Sequence, residues 1–217
     1  MAWLGRVLAR PFGAAAPLSL RAARWVVVDC ETSGLDVSRD RLLAVGAVAV
    51  RGGRIELAES FSAVLRQDVA SDAANILVHG IGGEAQRSGR PAGEVLREFS
   101  EFLGEGLPVG YHAPFDDAVL RRAMAREPGL RAPRDWLDLA QLAPVLRPGS
   151  PERAQRALDD WLEEFGIACP QRHDALADAY ATAQLLLVLL AEAERQGSGT
   201  VQRLRRLERA GRWIGSR

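Results

Sequence analysis

The stretch Arg24-Trp-Val-Val-Val-Asp29-Cys-Glu31-Thr-Ser-Gly34-Leu35 decides how the rest of the chain is read. Residues 24–30 are dominated by apolar and β-branched side chains, which fits a strand covered on both faces. Thr32-Ser-Gly34 then breaks the run. Asp29 and Glu31 stand two apart near its end, and side chains two apart on a strand share a face. Two like charges projecting together from an apolar strand are costly unless something positive joins them. A divalent cation is the simplest such partner, and paired carboxylate oxygens suit magnesium or manganese. A strand that merely emerges into solvent at Asp29 would show the same pair.

Working outward, residues 42–50 form a second apolar run that Gly52-Gly53 ends as a hairpin turn. Residues 54–65 alternate more loosely and read as a third strand. The period then changes. Val95, Leu96, Phe99, Phe102 and Leu103 recur at helical spacing, and 107–111 is a short strand. Residues 114–126 read as a helix, with Pro114 suited to its first turn. Segments 136–145 and 158–165 are further helices, the latter closed by Gly166. The longest helix is 175–195, and an arginine-rich helix follows at 201–214. Strands first, then alternating strands and helices, predict an α/β fold: a mixed sheet of about five strands, opened by a three-strand antiparallel meander and flanked by helices. The expected division is an N-terminal extension at 1–23, a domain at 24–196 and an arginine-rich C-terminal helix or tail at 197–217.

A chain of 217 residues and 23.5 kDa suits one domain with short extensions. Arginine plus lysine equals aspartate plus glutamate at 28 each. Nonspecific nucleic-acid binding by bulk charge is thereby excluded, and any such contact must be local. Cys30 and Cys169 are too few for a disulfide framework. No apolar run reaches the ~18 residues of a membrane span. Pro11, Gly13 and Pro17 interrupt the N-terminus, which lacks a cleavage site. A cytoplasmic protein with no membrane partner is expected.

Two more acidic positions stand out. Asp116 falls in the first turn of a helix, where an acid also simply complements the helix dipole. His173 and Asp178 are five residues apart, and five helical steps turn a side chain too far for the pair to share a face. If they act together, His173 precedes the helix, Asp178 lies inside it, and Asp174 serves as N-cap.

Each signal is common alone, but their order is specific. Val26-Val-Val-Asp29-Cys-Glu31-Thr-Ser-Gly34-Leu, Gly110-Tyr-His112-Ala113-Pro-Phe115-Asp116 and His173-Asp-Ala-Leu-Ala-Asp178 resemble the three motifs of the DnaQ-like 3′–5′ exonucleases. These form the DEDD superfamily, here in its histidine branch and similar to the exonuclease domains of bacterial DNA polymerase III epsilon type. Val78-His79-Gly80-Ile81 and Trp136-Leu137-Asp138 are similar to lesser family segments. The likeness runs from about Arg24 to Leu190. One position departs from it: Ala113 stands where the family usually has asparagine.

The resemblance implies a ribonuclease H-like sheet and a metal-dependent 3′–5′ exonuclease that releases nucleoside 5′-monophosphates. It implies Asp29, Glu31, Asp116 and Asp178 as ligands of two divalent cations, Mg2+ or Mn2+, with His173 as general base. Thr32, Ser33, Gly34, His79, Ile81, His112 and Phe115 would contact the substrate. The implied partners are a single-stranded or frayed 3′ end of DNA, and a DNA polymerase. An RNA exonuclease of ribonuclease T or oligoribonuclease type is the alternative, and a non-catalytic polymerase-associated scaffold is a third reading.

Overall fold

The computed structural model describes residues 16–149 and 156–214, with only the backbone of Trp213 and Ile214. Most of the expected N-terminal extension (1–15), and 215–217 of the C-terminal segment, lie outside the described residues. The meander is formed by β1 (Trp25–Thr32), β2 (Leu42–Arg51) and β3 (Arg54–Val64), paired antiparallel. Its β2–β3 turn holds φ at 61° and 78°, which is why Gly52 and Gly53 stand there. β4 (Leu107–Gly110) and the two-residue β5 (Leu137–Asp138) add in parallel beyond β1, giving the order β3-β2-β1-β4-β5. This is the five-stranded mixed sheet expected from the sequence.

The alternation of β1 sorts the core into two layers. Val26, Val28 and Cys30 pack with Leu96, Phe99 and Leu120 of α3 (Ala92–Leu103) and α4 (Ala113–Met124). Trp25 and Val27 pack on the other side with Leu142, Trp161 and Leu185. These come from α5 (Leu139–Leu146), α6 (Leu158–Glu164) and α7 (Ala175–Arg195). Each fully buried side chain of this kind stabilises the fold by about 1.5–3 kcal/mol. Contrary to the sequence expectation, α7 is long and apolar enough to cross a membrane, but 61% of its apolar window is buried inside the protein. Its hydropathy is that of a central core helix, packed on β1, β2 and α5.

The sequence reading misses α1 (Ala73–His79) and α2 (Gly83–Ser88). They span 7 and 6 residues, too short to show a period, and Gly80 ends the first in a left-handed cap. The helix expected from 136 starts at Leu139 instead. Leu137 and Asp138 pair with β4, and the Asp138 carboxylate caps α5 by accepting the Ala140 N–H at 3.0 Å. At the ends, Leu20 N–H donates to Gly199 O at 3.2 Å and Val201 N–H to Leu18 O at 3.0 Å. Leu20 and Ala23 join the core layer that also holds Val201 and Leu204 of α8 (Val201–Ile214). α8 crosses α5 closely: a Cβ on Gly211 would lie 1.9 Å from Gln141 O. Backbone bonds and shared core contacts thus join the chain on either side of residues 23 and 197 among the described residues.

Candidate active site

Asp29 and Glu31 continue the face of β1 that carries Trp25 and Val27, so they point toward the α7 layer. The first turn of α7 must come very close to the sheet to meet them. Gly46 on β2, the register partner of Asp29, makes that approach feasible. A Cβ there would lie 2.2 Å from the Ala175 carbonyl carbon and 2.3 Å from Leu176 N, so no side chain fits. Asp174 caps the helix by accepting the Ala177 N–H at 2.9 Å. His173 sits outside the helix in a left-handed conformation (φ 64°), and its N–H donates to Asp178 Oδ2 at 2.8 Å. Carboxylate oxygens of Asp29, Glu31 and Asp178 consequently lie within 4.8 Å of one another. Asp116 arrives from the opposite layer. His112, left-handed at φ 59°, starts α4 and anchors it by donating its N–H to Asp138 Oδ1 at 3.0 Å. One turn on, Asp116 is buried beside Asp29 and Cys30.

The electrostatics follow from this crowding. Burial, then the charge of Asp178, pushes the Glu31 carboxyl up to about 8. Burial pushes Asp116 up to about 7. Asp29 is raised well above the carboxylate range by burial and then by the charges of Asp116, Asp178 and Glu31. One cation opposes them. The Arg172 guanidinium pairs with Asp178 and reaches Asp159 Oδ1 at 2.5 Å, and it lowers both Asp29 and Glu31. Closely held carboxylate oxygens that one arginine does not neutralise are a donor set suited to a hard divalent cation.

The family model described as exonuclease matches residues 26–186. The chain belongs to the exonuclease family. The DnaQ-like motif resemblance agrees with this membership, and the observed sheet has the ribonuclease H-like architecture. Among curated relatives, the PolC-type DNA polymerase III of Thermotoga maritima is 30% identical over 86% of this chain. That of Bacillus subtilis is 30% identical over 82%. The chain spans only 13% and 12% of those relatives' lengths. Among solved structures, E. coli Exonuclease I in complex with a dT13 oligonucleotide superposes with TM-score 0.66 at 21% identity, covering 80% of this chain and 42% of that one. The nuclease domain of 3′hExo, a DEDDh family member bound to rAMP, gives TM-score 0.66 at 12% identity, covering 84% and 96%. At these identities the two structures bear on the fold.

In this exonuclease fold the acidic cluster opens into a cleft of about 450 Å³. Asp29, Glu31, Asp178, His173, Thr32, Gly34, His79, His112 and Phe115 line it. Ser33 and Ile81, expected there, do not. Ser33 Oγ is taken up in its own turn, accepting the Arg41 N–H at 2.9 Å and reaching Asp40 Oδ1 at 3.2 Å. Ile81 lies behind, its N–H donated to His79 Nδ1 at 2.9 Å and its carbonyl accepting from Gln86. That bond makes Nδ1 an acceptor, so the His79 proton sits on Nε2, facing Asn75 Oδ1 at 2.8 Å. Asn75 in turn donates to the Thr32 carbonyl at 3.1 Å, tying α1 to the tip of β1. His79 thus braces the cleft wall. The sequence reading overlooked Asn75, Arg172 and Tyr111, as well as the exposed apolar rim of Leu35 (88%) and Val78 (54%). Leu35, in the turn after β1, was the available signal, because a large apolar side chain left in water beside two carboxylates is a candidate ligand contact.

Proposed function

We propose that this chain is a metal-dependent 3′–5′ exonuclease that removes nucleoside 5′-monophosphates from DNA 3′ ends. One observation carries the reading: carboxylates 149 positions apart, Asp29 and Asp178, are buried together with Glu31 at one cleft whose rim holds His173. Such a cluster is costly to fold unless it binds cations. Asp29, Glu31 and Asp178 would hold divalent cations, two Mg2+ or Mn2+ ions, with Asp116 completing the set beside Asp29. The cations, when bound, supply charge stabilisation for an in-line phosphodiester displacement.

The chain's own residues supply the rest. His173 is exposed on a loop held by its backbone bond to Asp178, so its imidazole is free to take a proton from the attacking water. The water oxygen forms the new P–O bond as its proton passes to His173, the P–O3′ bond breaks, and the departing 3′ oxygen takes a proton from solvent to leave as the hydroxyl of the preceding nucleotide. Leu35, Val78 and Phe115 offer an apolar wall for the terminal base, and the Thr32–Gly34 backbone lies where the sugar would sit. A polymerase partner is in keeping with the PolC-type relatives.

The test uses 5′-labelled single-stranded DNA and RNA with manganese, with EDTA, and with Asp29→Ala. A metal-dependent ladder shortening from the 3′ end, absent in the variant, is expected. Cleavage of RNA alone would reassign the substrate, and intact strands in every lane would leave the scaffold reading.

A further inference from the structure

Around the first turn of α4 from the cleft lies a second concavity, of about 650 Å³, walled by α4, the segment before β5 and α8. Arg121, Arg134, Arg205, Arg209 and Arg212 line it. Most of its acids are engaged internally. Asp138 is buried and accepts N–H groups from His112 and Ala140. Glu208 is buried and pairs with Arg212 at 2.7 Å, and Asp117 pairs with Arg121 at 2.7 Å. Arg205 donates to a neutral acceptor, the Asp135 carbonyl, at 2.6 Å. Arg134 and Arg209 are exposed and make no hydrogen bond or ion pair with any described residue. Asp135 is left as the one lining acid facing three guanidiniums without a carboxylate partner. Three guanidiniums without a carboxylate partner, those of Arg134, Arg205 and Arg209, therefore share this one groove.

The groove adjoins the cleft. Ala113 and Pro114 line the groove, while the flanking His112 and Phe115 line the cleft. Only the width of a helix, about 10–12 Å, separates the two. We propose that this groove binds the phosphate backbone of the strand whose 3′ end occupies the cleft, a few nucleotides upstream of the cleaved bond. This inference rests on the exonuclease reading above. Guanidiniums match phosphate oxygens bidentately, so this groove is suited to a backbone of phosphates. Contacts of this kind read charge rather than sequence, so they set grip on long strands and leave the chemical step alone.

The test is an Arg134→Ser/Arg209→Ser double variant, chosen because both side chains are exposed and unpaired. Three substrates are compared: the p-nitrophenyl ester of thymidine 5′-monophosphate, a dinucleotide, and single-stranded DNA of about 12 nucleotides. The variant should match the wild type on the ester and the dinucleotide. On the long strand its KM should rise about 10-fold at low salt with kcat unchanged, and its log KM against log salt slope should fall by about 1.4, or 0.7 per lost contact. Unchanged length and salt dependence would overturn the groove. If the wild type cuts neither ester nor strand, the exonuclease reading fails. Fluorescence anisotropy of the labelled strand in EDTA then decides the groove alone: weaker binding by the variant supports it, and equal binding overturns it.

Discussion

The two concavities on either side of the first turn of α4 hold charge in opposite ways. At the tip of β1, carboxylate oxygens of three residues are packed within 4.8 Å and one guanidinium faces them. Across α4, Arg134 and Arg209 stand in water near Arg205. Buried charges repel through a medium that screens them poorly, so the cost is present in the folded chain and shows as raised carboxyl values. Exposed charges are screened within about 8–10 Å by ordinary salt, so their cost is small until an anion arrives. The cleft is thus a store of unfavourable energy that a cation releases, while the groove is nearly free to maintain. Each variant below separates these two situations.

The largest effect is expected at Gly46, which carries no charge. In Gly46→Val the new side chain meets Ala175 and Leu176 backbone, which cannot swing aside. The first turn of α7 must lift off the sheet, carrying Asp178 from Asp29 and Glu31. Overpacking of this kind costs about 1–3 kcal/mol, and more when backbone must move. Thermal denaturation should show that loss, and manganese titration should show weakened binding. Wild-type metal affinity would mean that the close approach does not build the site.

Next comes Asp29→Asn, which should lower activity more than about 100-fold, beyond what losing an outer-shell partner does. Without metal, the same variant should be more stable than the wild type at pH 8. Carboxyls raised in the folded state bind protons more tightly there than in the unfolded chain. Stability is therefore greatest at acidic pH, below the unfolded carboxyl range, and falls as pH rises through about 7 for Asp116 and about 8 for Glu31. Removing one member of the cluster should flatten that fall. Manganese should restore wild-type stability most strongly at the alkaline end, where protons no longer compete. A melting temperature independent of pH between 5 and 8 in EDTA would contradict the raised carboxyls.

Much of this was legible in the sequence. The continuous apolar run of β1 marked a strand covered on both faces, and two-residue spacing put Asp29 and Glu31 on one of them. The five-step spacing placed His173 outside the helix if it acts with Asp178, and it stands there. What stayed hidden was mostly tertiary. Gly46 in an apolar run reads as a weak point in a strand, and nothing local shows that a helix backbone presses on it. Arg172 and Asn75 are ordinary polar residues until the fold sets one against Asp178 and the other under Thr32. Ser33 and Ile81 lie outside the cleft lining, and their polar groups are engaged by neighbouring residues, which a motif likeness does not reveal.

A smaller effect is expected for Arg172→Gln. The guanidinium's positive charge lowers both Asp29 and Glu31, so its loss should steepen the fall of stability with pH in EDTA. Bound metal should mask most of that change. A pH profile identical to the wild type would place Arg172 outside the charge balance of the cleft.

The smallest effect belongs to the groove. Arg121→Ser breaks an i,i+4 pair with Asp117 whose arginine side chain is 55% exposed. Such pairs contribute about 0.3–0.5 kcal/mol, so denaturant melts should barely move. The freed Asp117 carboxylate now faces the groove without its partner, and a phosphate there meets one cation fewer and one anion more. Binding of the long strand should weaken by about 2–3-fold at low salt, and the difference should vanish near 1 M salt, where screening reaches about 3 Å. A cleft variant should depend less on salt, since partly buried charges are screened much less than exposed ones. If Arg121→Ser instead unfolds the protein, or weakens binding equally at all salt concentrations, the groove's charges are structural and the contrast between the two regions fails.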